Sequence, residues 1–211
     1  MDLTQHGERP FLYSELKLLR HSSLQQVILC DYSSVHGPVQ TAQCILKLFS
    51  SKARKACDIE VSAYSTVKDS DLQHSPLADV LWSGSWTADQ YNEIIGGKLP
   101  SIIRPRETTV FVLMLSYIAN AERITSISPG LRQEIAIKRA LQALRSLHSL
   151  KILHGSVGPD NLLLLKKGPS YFAYWIDLSC SSLNASQRAL SREWNDAITM
   201  FTDLVSSKKV N

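Results

Sequence analysis

One segment, residues 147–161, most constrains how this chain of 211 residues can fold. It reads LHSLKILHGSVGPDN and follows a run of strong helix formers that predicts a long helix over residues 131–150. Two short strands are predicted next, over 162–165 and 171–176, joined by a turn that contains Gly168 and Pro169. Asp177 comes directly after the second strand. We therefore expect the polar loop before the hairpin and the residues after it to meet in space.

The spacing of His154 and Asn161 resembles the catalytic loop of protein kinases, H-R-D-x-x-x-x-N. In that family the Asp accepts the proton of the attacking hydroxyl, and the Asn helps to hold Mg²⁺. Asp177, about sixteen residues after Asn161, is similar to the metal-binding Asp of D-F-G. The resemblance implies that Asn161 and Asp177 hold the metal, and that His154 braces the loop and the Asp177 region.

Two further segments carry the resemblance into the first half of the chain. Residues 44–47 are similar to the kinase strand whose Lys contacts the ATP phosphates, so Lys47 would take that role and Glu60 would pair with it. The alternative is a Lys at a strand end and a solvated helix Glu. Residues 109–118 resemble the strand that leads into the hinge. The backbone groups of Ser116, Tyr117 and Ile118 would then bind adenine.

Several departures from the family pattern concern catalysis. Ser156 stands at the position of the base, and Gly158 replaces the Lys that steadies the γ-phosphate. Loss of a general base alone lowers rates by about 10²- to 10⁴-fold. Residues 33–38 offer one Gly and a Pro in place of G-x-G-x-x-G. The chain also lacks A-P-E, and a single helix follows Asp177.

The predicted fold class is α+β, a two-lobed protein-kinase-like fold in one domain over residues 1–211. The N-lobe, residues 11–118, would hold an antiparallel sheet and one helix. Its strands are predicted over 26–32, 43–49, 80–83 and 109–117, its helix over 52–67, and irregular structure over 83–107. The C-lobe, residues 119–211, would be shortened and mainly helical.

Apolar periodicity predicts which faces of the two C-lobe helices are buried. The long helix would bury Ile137, Leu141, Leu144 and His148. A last helix over 191–205, capped by Ser191, would bury Trp194, Ile198, Phe201 and Val205. Asp196 is similar to the kinase helix Asp that anchors the catalytic-loop backbone. The alternative is a solvated acid near a helix N-terminus.

Composition narrows the setting in which this protein works. The net charge of +4 is scattered, so nucleic acid is not expected as a partner. No apolar stretch reaches the length of a membrane span, and the polar N-terminus does not resemble a secretory signal. The four cysteines are widely spaced and contain no C-x-x-C pair, which favours free thiols over disulfides or a zinc site. We expect an intracellular protein, cytoplasmic or nuclear, with a protein partner.

The sequence supports three hypotheses for function. The first is a pseudokinase, a catalytically impaired kinase-like protein that acts as a regulatory or interaction module and binds ATP and Mg²⁺ weakly or not at all. The second is an active atypical kinase that phosphorylates a protein or small-molecule hydroxyl, with Asp160 as substitute base. The third is an interaction module that binds no nucleotide and keeps the kinase frame only as a scaffold.

Overall fold

A computed structural model of the protein describes residues 4–5, 11–34, 41–103, 106–127 and 131–207. Within these residues the fold is α+β, as predicted, with one six-stranded sheet, one three-stranded sheet and four α-helices. The chain forms two compact units. The first comprises Met1–Val61 and Asp79–Tyr117, and the second comprises Ser62–Ala78 and Ile118–Asn211.

The larger sheet belongs to the first unit and has the strand order β1-β5-β6-β4-β3-β2. Strands β2 to β6 pair antiparallel, and the two-residue β1 pairs parallel with β5. The strands are β1 (Thr4–Gln5), β2 (Phe11–His21), β3 (Gln25–Ser34), β4 (Ala42–Phe49), β5 (Val80–Thr87) and β6 (Thr109–Ser116). The four predicted strands correspond to β3, β4, β5 and β6.

Strand β4 lies in the middle of the sheet and is apolar on one face. Cys44, Leu46 and Leu48 alternate along it and join the main hydrophobic core. Lys47 projects from the opposite face and contacts helix α1 (Arg54–Lys68). The apolar face is covered by helix α2 (Ala88–Ile94) and by the aromatic residues of β5. One face of the sheet therefore packs into the main core, and the other face contacts α1.

The expectation of a single helix beside the sheet is wrong, and the irregular structure expected over 83–107 begins only at residue 95 among the described residues. Residues 84–87 complete β5, and α2 follows at once, begun by a capping box in which Thr87 and Gln90 bond each other's backbone N–H groups. The Tyr91 hydroxyl then donates to Gln26 Oε1 over 3.0 Å and accepts from the Ile102 N–H. Gln26 is fully buried, and its Nε2 also donates to the Pro100 carbonyl.

Strand β2 was not predicted, because its side chains do not alternate regularly. Its pairing with β3 shifts register between Ser14 and Lys17 and again between Leu18 and Arg20. Glu15 has a φ of 48°, which marks the first irregularity. Each extra residue moves the following side chains to the other face, so the period of two is lost within one strand.

The second unit contains the smaller sheet and two long helices. Its elements are β7 (Glu122–Arg123), α3 (Leu131–Ser149), β8 (Leu162–Lys167), β9 (Ser170–Trp175) and α4 (Gln187–Ser207). The prediction of α3, β8 and β9 is confirmed to within one or two residues. Trp175 is fully buried at the end of β9, where its indole N–H donates to the Ala140 carbonyl over 3.1 Å and its backbone N–H to Pro76.

The predicted buried faces of α3 and α4 are displaced from those observed. On α3 the fully buried positions include Ala136, Ala140, Leu144 and Leu147, whereas Ile137, Leu141 and His148 are half-buried. Alanines count little in a hydrophobicity pattern, yet their small size allows β9 to approach closely, as the Trp175–Ala140 bond shows.

Helix α4 begins four residues before the predicted start. The hydroxyl of Ser186 accepts from the Ala189 N–H over 3.3 Å, so Ser186 caps the helix and Ser191 does not. Its buried stripe is Leu190, Glu193, Ala197 and Phe201. Of the four residues predicted to be buried, only Phe201 is, and Ile198 is 40% exposed.

None of the helices in the described ranges has the length and apolar character needed to cross a membrane.

Candidate functional site

The first unit contains a buried ion pair that joins β4 to α1. Lys47 Nζ lies 2.5 Å from Glu60 Oε1, and the two side chains are 6% and 0% exposed. Lys47 stands opposite Val27 on β3 and Leu113 on β6, so its backbone is fixed on both sides. Burying a charge is costly unless it is paired, and here each partner neutralises the other. The predicted pairing is present, and the alternative of a solvated Glu60 is wrong.

In the second unit His154 connects the polar loop to the residues after β9. It is fully buried, its Nε2 lies 3.0 Å from the Ile176 carbonyl, and its ring packs edge-on against Trp175. Its Nδ1 accepts a hydrogen bond from the Ser156 N–H over 3.2 Å. Because Nδ1 is the acceptor, Nε2 carries the proton and donates it to Ile176. His154 thus braces the loop in the way that the resemblance implies.

Asn161 closes the loop from its other end. Its Nδ2 donates to the Ser156 carbonyl over 2.9 Å and to the Ser156 hydroxyl over 3.1 Å. The backbone carbonyl of Asn161 accepts from the Ile176 N–H over 2.9 Å. This last bond continues the β8–β9 pairing, which puts Asn161 beside the residue that precedes Asp177. The two segments that were expected to meet are in contact.

Asp177 has left-handed backbone geometry, with φ 64° and ψ 68°, at the start of a short 3-10 turn over Leu178–Cys180. Its carboxylate accepts from the Ser179 hydroxyl over 2.8 Å. The bonds of Asn161 to Ser156 both use Nδ2. An amide oxygen and a carboxylate are the kinds of ligand that suit Mg²⁺, which takes few protein ligands. No group of three or more His, Cys, Asp or Glu within the described residues could hold a metal by itself.

Gly155 allows the loop to lie against this turn. Its φ is 78°, a region that residues with side chains rarely adopt. A Cβ atom at this position would lie 2.0 Å from the carbonyl oxygen of Cys180. Leu153, two residues before Gly155, and Ser182, two residues after Cys180, also form a β-bridge with N···O distances of 2.9 and 3.0 Å. A glycine is therefore required here by the backbone.

Glu193, on α4, anchors the backbone of the loop. Its Oε2 accepts from the His154 N–H over 3.0 Å, and its Oε1 accepts from the Gly155 N–H over 2.6 Å. His148 Nε2 lies 2.8 Å from Oε2, so the buried carboxylate has three polar partners. Burial opposes its ionisation, but the hydrogen bonds from His148, Gly155 and His154 outweigh burial and lower the pKa of Glu193.

The anchoring role proposed for Asp196 is therefore wrong, and the sequence reasoning missed Glu193. Asp196 is exposed on α4, one helical turn from Glu193. The signal was present in the sequence, because Leu190, Glu193, Ala197 and Phe201 follow a helical period. An acid within such a stripe has to be buried with polar partners.

Replacing Glu193 by Ala is expected to lower the free energy of unfolding by about 3 kcal/mol, because two backbone N–H groups lose their acceptor. Urea unfolding measures this loss, and the exposed Asp196→Ala serves as a matched control with an expected effect within about 0.5 kcal/mol. Equal effects of the two substitutions would contradict the anchoring role.

The same carboxylate predicts a dependence on pH. A lowered pKa in the folded state stabilises the protein above the ordinary glutamate pKa of about 4.3, and this contribution disappears as the pH falls through the folded value. The stability difference between wild type and Glu193→Gln should therefore narrow below about pH 4.3. A difference that grows in acid would contradict this assignment.

Ser156 stands where the resemblance places a catalytic base. Ser156 is exposed, and its hydroxyl and carbonyl oxygens both accept from Asn161. Asp160, the alternative base, forms an ion pair with Arg123 over 2.6 Å, with side chains 80% and 55% exposed. Gly158 has extended backbone, and a Cβ there would meet nothing within 4 Å. A larger residue would therefore fit at Gly158.

The three residues that the resemblance places at a hinge, Ser116, Tyr117 and Ile118, differ in the hydrogen bonds that their backbone groups make. The Ser116 N–H donates to the Asp79 carbonyl over 2.8 Å, and the Ser116 hydroxyl accepts from the Asp79 N–H. The Ile118 carbonyl accepts from Ala121 over 3.2 Å. Tyr117 is exposed. The N–H of Ser116 is thus already used within its own unit. Most of the glycine-poor segment over 33–38, from residue 35 onward, lies outside the described residues.

No protein-family model matches this chain, and no curated protein sequence matches it significantly.

Proposed function

We propose that this protein is a pseudokinase: a kinase-like, two-lobed protein that has lost efficient phosphoryl transfer and acts by binding a protein partner. The observation that carries the proposal is the loop around Ser156. His154, Asn161 and Glu193 hold its backbone through hydrogen bonds at both ends, yet a hydroxyl stands where the resemblance has a carboxylate. A protein that acts by binding needs the backbone geometry of such a loop but does not need a catalytic base.

Serine does not replace the carboxylate chemically. A general base must accept a proton near neutral pH, and a serine hydroxyl has no such proton affinity. The Ser156 hydroxyl also accepts a hydrogen bond from Asn161 over 3.1 Å, which occupies one of its lone pairs. The expected loss in rate is about 10²- to 10⁴-fold from this position alone.

The alternative of an active atypical kinase depends on Asp160. Its carboxylate accepts a hydrogen bond from the Arg123 guanidinium over 2.6 Å, so one of its oxygens is already engaged by another side chain. Both side chains are mostly exposed, so the pair is not held in a dry site. These features support the pseudokinase over the active kinase.

We propose that any nucleotide binding follows the residue roles that the resemblance implies. Lys47, held by Glu60, would contact phosphates, while Asn161 and Asp177 would hold Mg²⁺. The metal would supply positive charge to neutralise the phosphates. The Ser116 N–H is already bonded to the Asp79 carbonyl, and residues 33–38 lack the glycine-rich pattern. Both features weaken nucleotide binding, so we expect millimolar affinity or none.

Calorimetry and thermal shift with ATP, with and without Mg²⁺, test the nucleotide part of the proposal. The informative variants are Lys47→Met and Asp177→Asn, since Asn tolerates left-handed backbone and removes only the charge. Each variant is compared with its own unliganded melting temperature. We expect a small shift or none in the wild type.

A large Mg²⁺-dependent stabilisation that both substitutions abolish would show a competent nucleotide site and would favour the active kinase. No shift in the wild type, together with unchanged partner binding in Asp177→Asn, would favour the scaffold without nucleotide.

A further inference from the structure

Two buried thiols face each other across neighbouring strands of the first unit. Cys30 on β3 and Cys44 on β4 are directly opposed in the antiparallel ladder, and their Sγ atoms are 3.4 Å apart. They are 1% and 0% exposed within the main core. The other two cysteines differ: Cys57 is buried on α1, and Cys180 is exposed in the second unit.

The pairing of the two strands places the thiols where a disulfide can form. Opposed residues in an antiparallel pair have Cα atoms about 4.5–5.5 Å apart, which is inside the range that disulfides span. The sulfur atoms need to approach from 3.4 Å to about 2.05 Å, which side-chain rotation within the ladder can supply. We propose that Cys30 and Cys44 are a redox modification site, oxidised by hydrogen peroxide to a reversible intramolecular disulfide.

The reaction balances in two steps. One sulfur of the pair, losing its proton as it reacts, attacks a peroxide oxygen, which yields a sulfenic acid and one water. The other thiol then displaces the remaining oxygen, the S–S bond forms, and a second water leaves. Two thiols and one hydrogen peroxide thus give one disulfide and two waters. Dithiol reductants reverse the reaction by exchange.

The environment of the pair limits which oxidant can react. The hydrogen bond with Cys30, together with burial, raises the pKa of the Cys44 thiol far above its ordinary value, so the reaction depends on the 3.4 Å approach of the two sulfur atoms and not on a preformed Cys44 thiolate. Because both side chains are buried, the oxidant has to be small. Peroxide, little larger than water, is favoured over bulky disulfides such as oxidised glutathione. The neighbouring thiol traps the sulfenic acid before further oxidation.

The position of the pair on the sheet gives the modification a structural consequence. The disulfide would tie β3 to β4 three residues before Lys47, and Cys44 stands opposite Ser116 on β6. It would also close the loop between two residues that are 14 positions apart. The proposal does not depend on nucleotide binding, so it stands or fails separately from the pseudokinase assignment.

The test uses the whole chain carrying Cys180→Ser, which removes the exposed thiol that could link two molecules. The folded protein is treated with millimolar hydrogen peroxide, quenched, unfolded and alkylated, and its peptides are identified by mass spectrometry. We expect a near-stoichiometric product in which residues 30 and 44 are joined and Cys57 is alkylated. A dithiol reductant should restore both thiols.

Matched single variants complete the test. Cys57→Ala should form the same disulfide, whereas Cys30→Ala and Cys44→Ala should form none, with circular dichroism confirming that each is folded. Persistence of both thiols in the folded protein, or a disulfide that appears only in urea, would overturn the proposal. So would over-oxidation of either cysteine to a sulfinic acid in place of the disulfide. If a variant fails to fold, the peptide map of the Cys180→Ser protein decides alone.

Discussion

Replacing Gly155 by Ala is expected to destabilise the second unit by at least about 3 kcal/mol, or to prevent its folding. Left-handed backbone costs a residue with a Cβ roughly 1–2 kcal/mol. In addition, the new Cβ would lie 2.0 Å from the Cys180 carbonyl oxygen, which is part of the backbone and cannot rotate away. The loop would have to separate from the turn after Asp177, with loss of the contact that brings the two together.

Urea unfolding of Gly155→Ala and Gly158→Ala provides the comparison. Gly158 has extended backbone and open space, so its substitution should change the free energy of unfolding by less than about 0.5 kcal/mol. The two glycines are three positions apart in one loop, which makes the second a close control. Equal stability of the two variants would contradict the packing of the loop against Cys180.

Replacing Glu60 by Ala is expected to cost about 3–5 kcal/mol in the first unit. The substitution leaves the Lys47 ammonium, 6% exposed, without the carboxylate 2.5 Å away. Removing one partner of a buried ion pair is costly because the remaining charge loses a counter-charge that compensates its burial. Thermal and urea unfolding measure the loss.

Two controls separate the ion pair from simple loss of volume. The double variant Lys47→Met with Glu60→Leu should recover most of the stability, because apolar residues of similar size replace both charges. On the same helix, Arg54 and Asp58 form an exposed pair at 3.6 Å, and Asp58→Ala should cost no more than about 0.5 kcal/mol. A double variant as unstable as Glu60→Ala would show that the charges are not what matters.

The sequence predicted most of the elements that carry the candidate site. The long helix, the β8–β9 hairpin and the strand with Lys47 have strong and regular patterns, so their positions were predicted to within one or two residues. Lys47 was matched to Glu60 because both residues resemble a paired Lys and Glu in kinases, and because a charge in a buried strand needs a partner. His154 and Asn161 were identified because their spacing resembles a known loop.

Other features depend on contacts that no local pattern contains. Strand β2 was missed because its bulges interrupt the alternation, and α2 was missed because it follows a strand with Ser and Gly in its interior. Glu193 was missed because the predicted α4 began at residue 191 and excluded Leu190. The apolar residues Trp194 and Ile198 then marked the predicted inner face. The need for Gly155 arises from the backbone of Cys180, twenty-five residues away in sequence.

We propose that the loop around Ser156 keeps its backbone hydrogen bonds but no longer supports phosphoryl transfer. An assay of phosphoryl transfer tests this most directly. Wild type, Lys47→Met and Asp160→Ala are assayed side by side for ATP hydrolysis and for labelled phosphate in the protein itself, in generic acceptor proteins and in small hydroxyl compounds. The account predicts that none of the three exceeds the reaction without protein. Turnover by the wild type that is lost in both variants, and that Ser156→Ala does not change, would contradict it and would assign the missing base to Asp160.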